Sequence, residues 1–149
     1  MTHKADGEKV EARDVESALE AIGYTLKALD IVLLRTGRDA FYGRPDNLMR
    51  GPAVTVGATR WLSERGVRVM GIDAWGWDGP PDRQAAESLA RRQPGVFWAA
   101  HQANLAYCQI ERLFNLGALP TTGFKVACFP LKIAGGSAGP TRAVAILPD

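Results

Sequence analysis

Histidine and cysteine are scarce in this sequence. It contains two histidines and two cysteines, and neither an H-x-x-H nor a C-x-x-C spacing occurs. A protein metal site needs three or four protein ligands, so the spacing by itself predicts no complete site. Cys108 and Cys128 both lie in apolar runs and no secretory signal precedes them. This usage predicts buried, reduced thiols in a cytoplasmic protein.

Long apolar runs and clustered charge are also missing. No apolar run reaches the ~18 residues that a membrane span requires, so no membrane partner is expected. The formal net charge is only +2 and the longest basic run is Arg91-Arg92, which argues against nucleic-acid binding. With 149 residues, 46% hydrophobic and 23% charged, the chain is typical of one globular domain, residues 1–149. Its polar start is no signal peptide, and residues 1–9 are expected to be poorly ordered.

Helical and strand-like segments alternate along the chain. The spacing predicts a helix that begins at an Asp14 N-cap and ends at Gly23. The apolar run 30–35 predicts a strand buried on both faces, and the long loop 36–53 follows it. The sequence also predicts helices at 55–65 and 83–92, and strands at 67–72, 124–129 and 142–147. This alternation favours an α/β fold with a partly parallel sheet.

Two side chains in the last third of the chain are candidate metal ligands. His101 follows an apolar run, and Glu111 stands ten residues later in an apolar setting. Imidazole and carboxylate groups are good ligands for divalent ions. A hydrogen-bonded core histidine and a strand-edge glutamate explain the same residues, and residue chemistry alone favours this structural interpretation.

The segment after the second predicted strand holds further candidates. Asp73 stands at the carboxyl end of that strand, where ligands bind in open α/β sheets. It is a candidate general base, substrate acceptor or orienting partner of a ligand, and also an ordinary strand-end carboxylate. Trp75 and Trp77 flank Gly76 and are candidate pocket walls or packing residues. The loop A-G-G-S-A-G-P lacks the G-K-S/T ending of a phosphate-binding loop and precedes a strand, so a tight turn explains it better.

Four segments in this order resemble the cyclase family of metal-dependent hydrolases, which includes bacterial kynurenine formamidases. They are G-Y-T-L-K-A-L-D-I-V-L-L-R-T-G (23–37), W-L-S-E-R-G-V-R-V-M-G-I-D-A-W-G-W-D (61–78), I-E-R-L-F-N-L-G-A-L-P (110–120) and G-F-K-V-A-C-F-P-L-K-I-A-G-G-S-A-G-P-T-R-A-V-A-I (123–146). The resemblance implies a swivelling β/β/α fold, homodimers or higher oligomers, and a Zn²⁺ or Mn²⁺ centre. It implies hydrolysis of small, often aromatic amides such as N-formylkynurenine, an arylformamidase activity in tryptophan catabolism.

The resemblance also assigns site residues. Glu111 matches the family's late glutamate ligand because the R-L-F-N-L-G-A-L-P that follows it fixes the register. His101 matches the late histidine ligand, as both metal ligand and catalytic group, although its gap to the glutamate is shorter here. Asp73, with Ala74 and Trp75, matches the strand-end segment near the active site, and Trp75 and Trp77 are the candidate substrate-binding residues there.

One departure divides the possible functions. The family's His-x-Gly-Thr-His-x-Asp motif, which supplies most of the metal ligands, is absent from the sequence. The chain is therefore expected to be a C-terminal portion of a cyclase-family amidohydrolase, with an incomplete fold. The alternative is a catalytically incomplete chain that acts as a non-catalytic subunit or interaction module. An unrelated nucleotide-binding domain is the weakest possibility, because no phosphate-binding turn follows either buried strand.

Overall fold

The computed structural model describes residues 1–148, which contain seven β-strands, three α-helices and three short 3₁₀ helices. The strands are β1 (Lys9–Val10), β2 (Ile31–Leu34), β3 (Ala53–Val54), β4 (Val69–Ile72), β5 (Cys108–Ile110), β6 (Lys125–Pro130) and β7 (Thr141–Ile146). The helices are α1 (Ala12–Ala21), α2 (Val56–Glu64) and α3 (Pro81–Arg91). None of these helices combines the length and apolar character needed to cross a lipid bilayer.

A three-stranded parallel sheet organises the first of two compact units, residues 1–117. Its order is β2-β4-β5, with Leu34 opposite Ile72 and Gly71 opposite Ile110. Because the strands are parallel, their carboxyl ends meet at one edge. A shorter parallel pair, β1-β3, belongs to the same unit. The predicted partly parallel sheet is thus present.

The predicted strand at 30–35 is confirmed in position but not in burial. Of β2, only Leu34 is buried, and Ile31 to Leu33 are half-buried. β2 has one neighbour, β4, in the described sheet, and an edge strand is covered less completely than a central one. β4 shows the contrast, since Met70 and Ile72 are fully buried.

The first two helices are capped by their own side chains. The sequence predicted Asp14 as the N-cap of α1, and this prediction is wrong. The N-cap is Glu11, and Asp14 accepts its backbone N–H at 2.7 Å from inside the first turn. In α2, the Thr55 hydroxyl accepts the N–H of Ala58 at 3.2 Å, as expected of an N-cap threonine. Both helices therefore begin at residues that satisfy free backbone groups.

One apolar core holds this unit together. It combines side chains from β1, α1, α2 and β4 with residues that follow β4. Its fully buried members include Val10, Leu62, Val67, Met70, Ile72 and Trp77. The loop after β4, which carries Asp73 to Asp78, is therefore anchored on the core.

The start of the chain is attached through Asp6. Its carboxylate accepts the backbone N–H of Gly51 at 2.9 Å and forms ion pairs with Arg38 at 2.8 Å and Arg50 at 2.9 Å. Burial alone would raise the pKa of Asp6, but these bonds outweigh it and lower the pKa to about 2. This network links residues 1–9 to the loop 36–53.

The second unit, residues 118–149, contains the antiparallel pair β6-β7. Both strands were predicted, and each lies within one residue of its expected bounds.

The prediction that both cysteines are buried was wrong, because Cys128 on β6 is half-buried and Cys108 on β5 is exposed. Both thiols are free, as predicted.

Candidate functional site

Three polar side chains converge at the carboxyl edge of the parallel sheet. Asp78 lies in the loop that joins β4 to α3, and Glu111 follows β5 directly. His101 lies in the turns that precede β5. Because β4 and β5 are parallel neighbours, Asp78 and Glu111, which follow them, emerge on the same side. The structure also brings His101 beside Glu111, and their role as metal ligands stays a prediction.

Asp78 orients the His101 ring. Asp78 is 8% exposed; its Oδ1 accepts the N–H of Ala100 at 2.5 Å and its Oδ2 lies 2.5 Å from Nδ1 of His101. A buried carboxylate on Nδ1 holds the proton there and leaves Nε2 as the free ring nitrogen. The hydrogen bond to Asp78 raises the pKa of His101 above 6.5, while burial opposes the rise and the Glu111 charge adds to it.

Glu111 faces that free nitrogen. Its Oε1 lies 3.7 Å from Nε2 of His101 and accepts the backbone N–H of Trp77 at 2.7 Å. The side chain of Glu111 is 27% exposed and that of His101 is 37% exposed. Both groups are therefore held in place from behind and remain partly open to solvent.

The His101–Glu111 pair fits two ligands of one metal ion. Bonds from Zn²⁺ to imidazole nitrogen and to carboxylate oxygen are each about 2.0–2.2 Å long, so one ion can reach atoms 3.7 Å apart. Within residues 1–148, however, no group of three or more His, Cys, Asp or Glu side chains is placed to hold an ion. If His101 and Glu111 bind an ion, water or other groups would have to complete its ligand set.

Asp73 is engaged with the loop after β2. Its Oδ1 accepts the backbone N–H of Thr36 at 2.7 Å and the Thr36 hydroxyl at 2.5 Å, and its Oδ2 accepts the N–H of Gly37 at 2.8 Å. The residue is 3% exposed. These bonds tie the ends of β2 and β4 together, and the contacts of Asp73 are with this loop rather than with His101 or Glu111.

The two predicted tryptophans differ in their surroundings. The Trp77 ring is fully buried, and its indole N–H donates to the Thr59 hydroxyl at 2.9 Å. What Trp77 presents to the site is its backbone N–H, which binds Glu111. Trp75 is half-buried, and the guanidinium of Arg112 lies 4.7 Å from its ring centroid.

Sequence reasoning missed two residues of this site. Asp78 ends the segment W-G-W-D, but it is 23 residues from His101 and no local spacing pairs them. Tyr107 donates its hydroxyl to the Ala100 carbonyl at 2.8 Å and accepts a bond from Gln109. Burial raises the pKa of Tyr107 to about 12, so this phenol stays protonated and acts as a fixed hydrogen-bond donor to the backbone beside His101.

Comparison with known families gives one match over more than half of the chain. A family model described as "Putative cyclase" matches residues 1–79. No curated protein matches the sequence.

Solved structures match nearly the whole chain. An isatin hydrolase bound to the product analogue thioisatinate superposes with a TM-score of 0.79 at 23% identity, over 97% of this chain and 55% of that one. Isatin hydrolase A from Labrenzia aggregata, bound to benzyl benzoate, gives 0.78 at 25% identity, with 97% and 56% covered. A potential metal-dependent hydrolase with cyclase activity gives 0.64 at 23% identity, with 100% and 62% covered. The chain thus spans just over half the length of the isatin hydrolases, and the predicted mixed α/β fold of these proteins is confirmed.

Proposed function

Because the chain belongs to the putative cyclase family, we propose that it forms part of a metal-dependent hydrolase of small amides. The observation that carries this proposal is the row Asp78–His101–Glu111, in which Nε2 of His101 stands 3.7 Å from Oε1 of Glu111. The metal-dependent hydrolase with cyclase activity and the isatin hydrolases support the reaction class.

Each residue of the row has a defined task. Asp78 keeps the proton on Nδ1 of His101, so that Nε2 offers a lone pair. The Trp77 N–H holds one oxygen of Glu111 in place. A divalent ion, Zn²⁺ or Mn²⁺, would supply an activated water and polarise the amide carbonyl when bound. His101 and Glu111 would be two of its ligands.

The proposed substrate is a small planar amide of the arylformamidase type. N-formylkynurenine, which yields kynurenine in tryptophan catabolism, is the first choice from the family resemblance. Isatin, a planar bicyclic amide, is the second because the isatin hydrolases share the fold. Both place an amide carbonyl beside an aromatic ring.

Metal binding tests the proposal. Equilibrium dialysis of the purified chain against Zn²⁺ or Mn²⁺, followed by elemental analysis, should show saturable uptake that approaches one ion per chain only at high metal concentration, because two protein ligands are fewer than a complete site has. His101→Ala and Glu111→Gln should abolish binding, while His3→Ala, a change of the other histidine, should leave it intact. The proposal fails if the wild-type chain shows no saturable uptake of either metal, or if His3→Ala loses that uptake equally.

The second candidate is a non-catalytic subunit or interaction module. It is favoured by the lack, within residues 1–148, of a third side chain placed to complete the ligand set. Turnover separates the two candidates, since a metal-loaded chain that hydrolyses neither N-formylkynurenine nor isatin would leave a binding role only.

Self-association is part of the proposal. On one face of the β6-β7 pair, Phe129, Val144 and Ile146 are exposed by 83%, 45% and 53%. Exposed apolar sheet faces favour association. We expect a homo-oligomer in analytical ultracentrifugation and dissociation on Phe129→Glu; a chain that is monomeric at all concentrations would contradict this.

A further inference from the structure

Trp98 combines an unusual backbone conformation with an exposed ring. Its φ angle is 53°, in the left-handed region that bulky residues rarely adopt. Its side chain is 44% exposed. Rare backbone conformations persist only where the surroundings enforce them, and they concentrate at functional sites.

A buried glutamine holds the backbone of Trp98 in position. Gln84 of α3 is 8% exposed. Its Oε1 accepts the backbone N–H of Trp98 at 2.8 Å, and its Nε2 donates to the Gly79 carbonyl at 2.8 Å. Gly79 directly follows Asp78, the partner of His101. One side chain therefore fixes the Trp98 backbone relative to the segment that orients the histidine.

The Trp98 ring lies against His101. The two ring centroids are 5.4 Å apart with an angle of 30° between the planes, and Phe97 lies 5.5 Å from Trp98 on the same segment. Of the four tryptophans, Trp77 is fully buried, and Trp61 and Trp75 are half-buried with a guanidinium over the ring. Trp98 is thus the tryptophan that offers aromatic surface to solvent beside the candidate ligand.

We propose that the exposed face of Trp98 binds the planar ring of the substrate and so determines specificity for aromatic amides. Gln84 is the positioning residue that holds it. This inference rests on the proposed function, because it takes the Asp78–His101–Glu111 row as the reacting end of the site. An indole face stacks on a planar ring and gains less from a puckered one of similar size.

Binding of two formamides to the full chain tests the role of Trp98. The planar probe is 4-fluoroformanilide, followed by ¹⁹F NMR, and the puckered probe is N-cyclohexylformamide, followed by saturation-transfer NMR. Trp98→Leu should weaken binding of the planar probe by about three- to tenfold, the worth of one aromatic pair. Trp98→Phe should retain most of that affinity, and the puckered probe should bind all variants alike.

Trp61→Phe, a change on α2, is the matched control and should bind both probes as the wild type does. If Trp98→Leu binds 4-fluoroformanilide as tightly as wild type, or if wild type does not bind it at all, the inference is overturned. Binding is measured without turnover, so this result is independent of the metal test. A chain that binds metal but does not prefer the planar probe keeps the proposed function and loses this inference.

A double-mutant cycle tests Gln84. If Gln84 acts through Trp98, Gln84→Leu should weaken binding of the planar probe, and the double variant Gln84→Leu/Trp98→Leu should bind no more weakly than Trp98→Leu alone. Full additivity of the two changes would show that Gln84 does not act through Trp98.

Discussion

Asp78 and His101 are in direct contact at the candidate site, with 2.5 Å between Oδ2 and Nδ1. The two residues are 23 positions apart, and the second carboxylate oxygen of Asp78 is held by the N–H of Ala100, the residue before the histidine. One buried side chain thus fixes both the ring of His101 and the backbone that leads into it. The role of this contact can be tested without altering either candidate ligand.

Replacement of Asp78 by asparagine should weaken metal binding. Partners on the far nitrogen of a histidine ligand typically contribute about 10–100-fold to metal affinity, and we expect a loss in that range for Asp78→Asn. Competition with a chromophoric chelator measures it. Asp82→Asn, which removes one carboxylate charge from the first turn of α3, is the control; equal losses in both variants would show that the effect is only one of net charge.

Acid should destabilise the chain through Asp6. The pKa of Asp6 falls from the ordinary value of 3.8 to about 2 on folding, so the stabilisation is complete above pH 4 and is lost as the pH falls toward 2. The shift corresponds to about 2 kcal/mol of unfolding free energy. Urea unfolding at pH 6 and pH 2.5 measures the difference, which Asp6→Asn should reduce.

The control for Asp6 is Glu16→Gln, on the exposed side of α1. It should keep the acid sensitivity of the wild-type chain. If Asp6→Asn and wild type lose stability in parallel between these pH values, the Asp6 network is not the source of the effect.

Gly79 should tolerate no side chain. Its φ is +88°, and an added Cβ would lie 2.7 Å from the Cβ and 3.0 Å from the Cα of Ala53. Gly95 has a similar φ of +76° with nothing within 4 Å. Gly95→Ala should therefore lower the free energy of unfolding by about 1 kcal/mol, because alanine is strained in the left-handed conformation. Gly79→Ala should lower it by a further ~1–3 kcal/mol, because its Cβ overpacks against Ala53. Chemical denaturation compares them, and equal losses would mean that Ala53 gives way.

Leu62 should contribute strongly to the core of the first unit. It is fully buried in α2, whereas Leu89 on α3 is 77% exposed. Leu62→Ala should lower the unfolding free energy by about 2–5 kcal/mol through lost burial and a cavity, and Leu89→Ala should change it by less than ~0.5 kcal/mol. Thermal melts of the two variants provide the comparison, and a shared small shift would contradict the packing described here.

Much of the fold followed from local patterns. The strand at β4, the helix at α2 and the pair β6-β7 were predicted nearly at their observed bounds, because periodicity and turn residues act over a few positions. The two-residue strands β1 and β3 and the strand β5 were missed. They carry too few residues to show a period, and their pairing with distant strands defines them.

The sequence by itself determined most of the longer helices and strands and the family resemblance, and that resemblance singled out His101 and Glu111 as a pair. Only the tertiary structure decided that Asp78 is the partner of His101, that Asp73 is bound to the loop after β2, and that Trp77 is buried while Trp98 is exposed beside the histidine. The reason is physical. Spacing along the chain fixes which way a side chain points within its own element, but contacts between segments, and the exposure of an indole, depend on how the elements pack together.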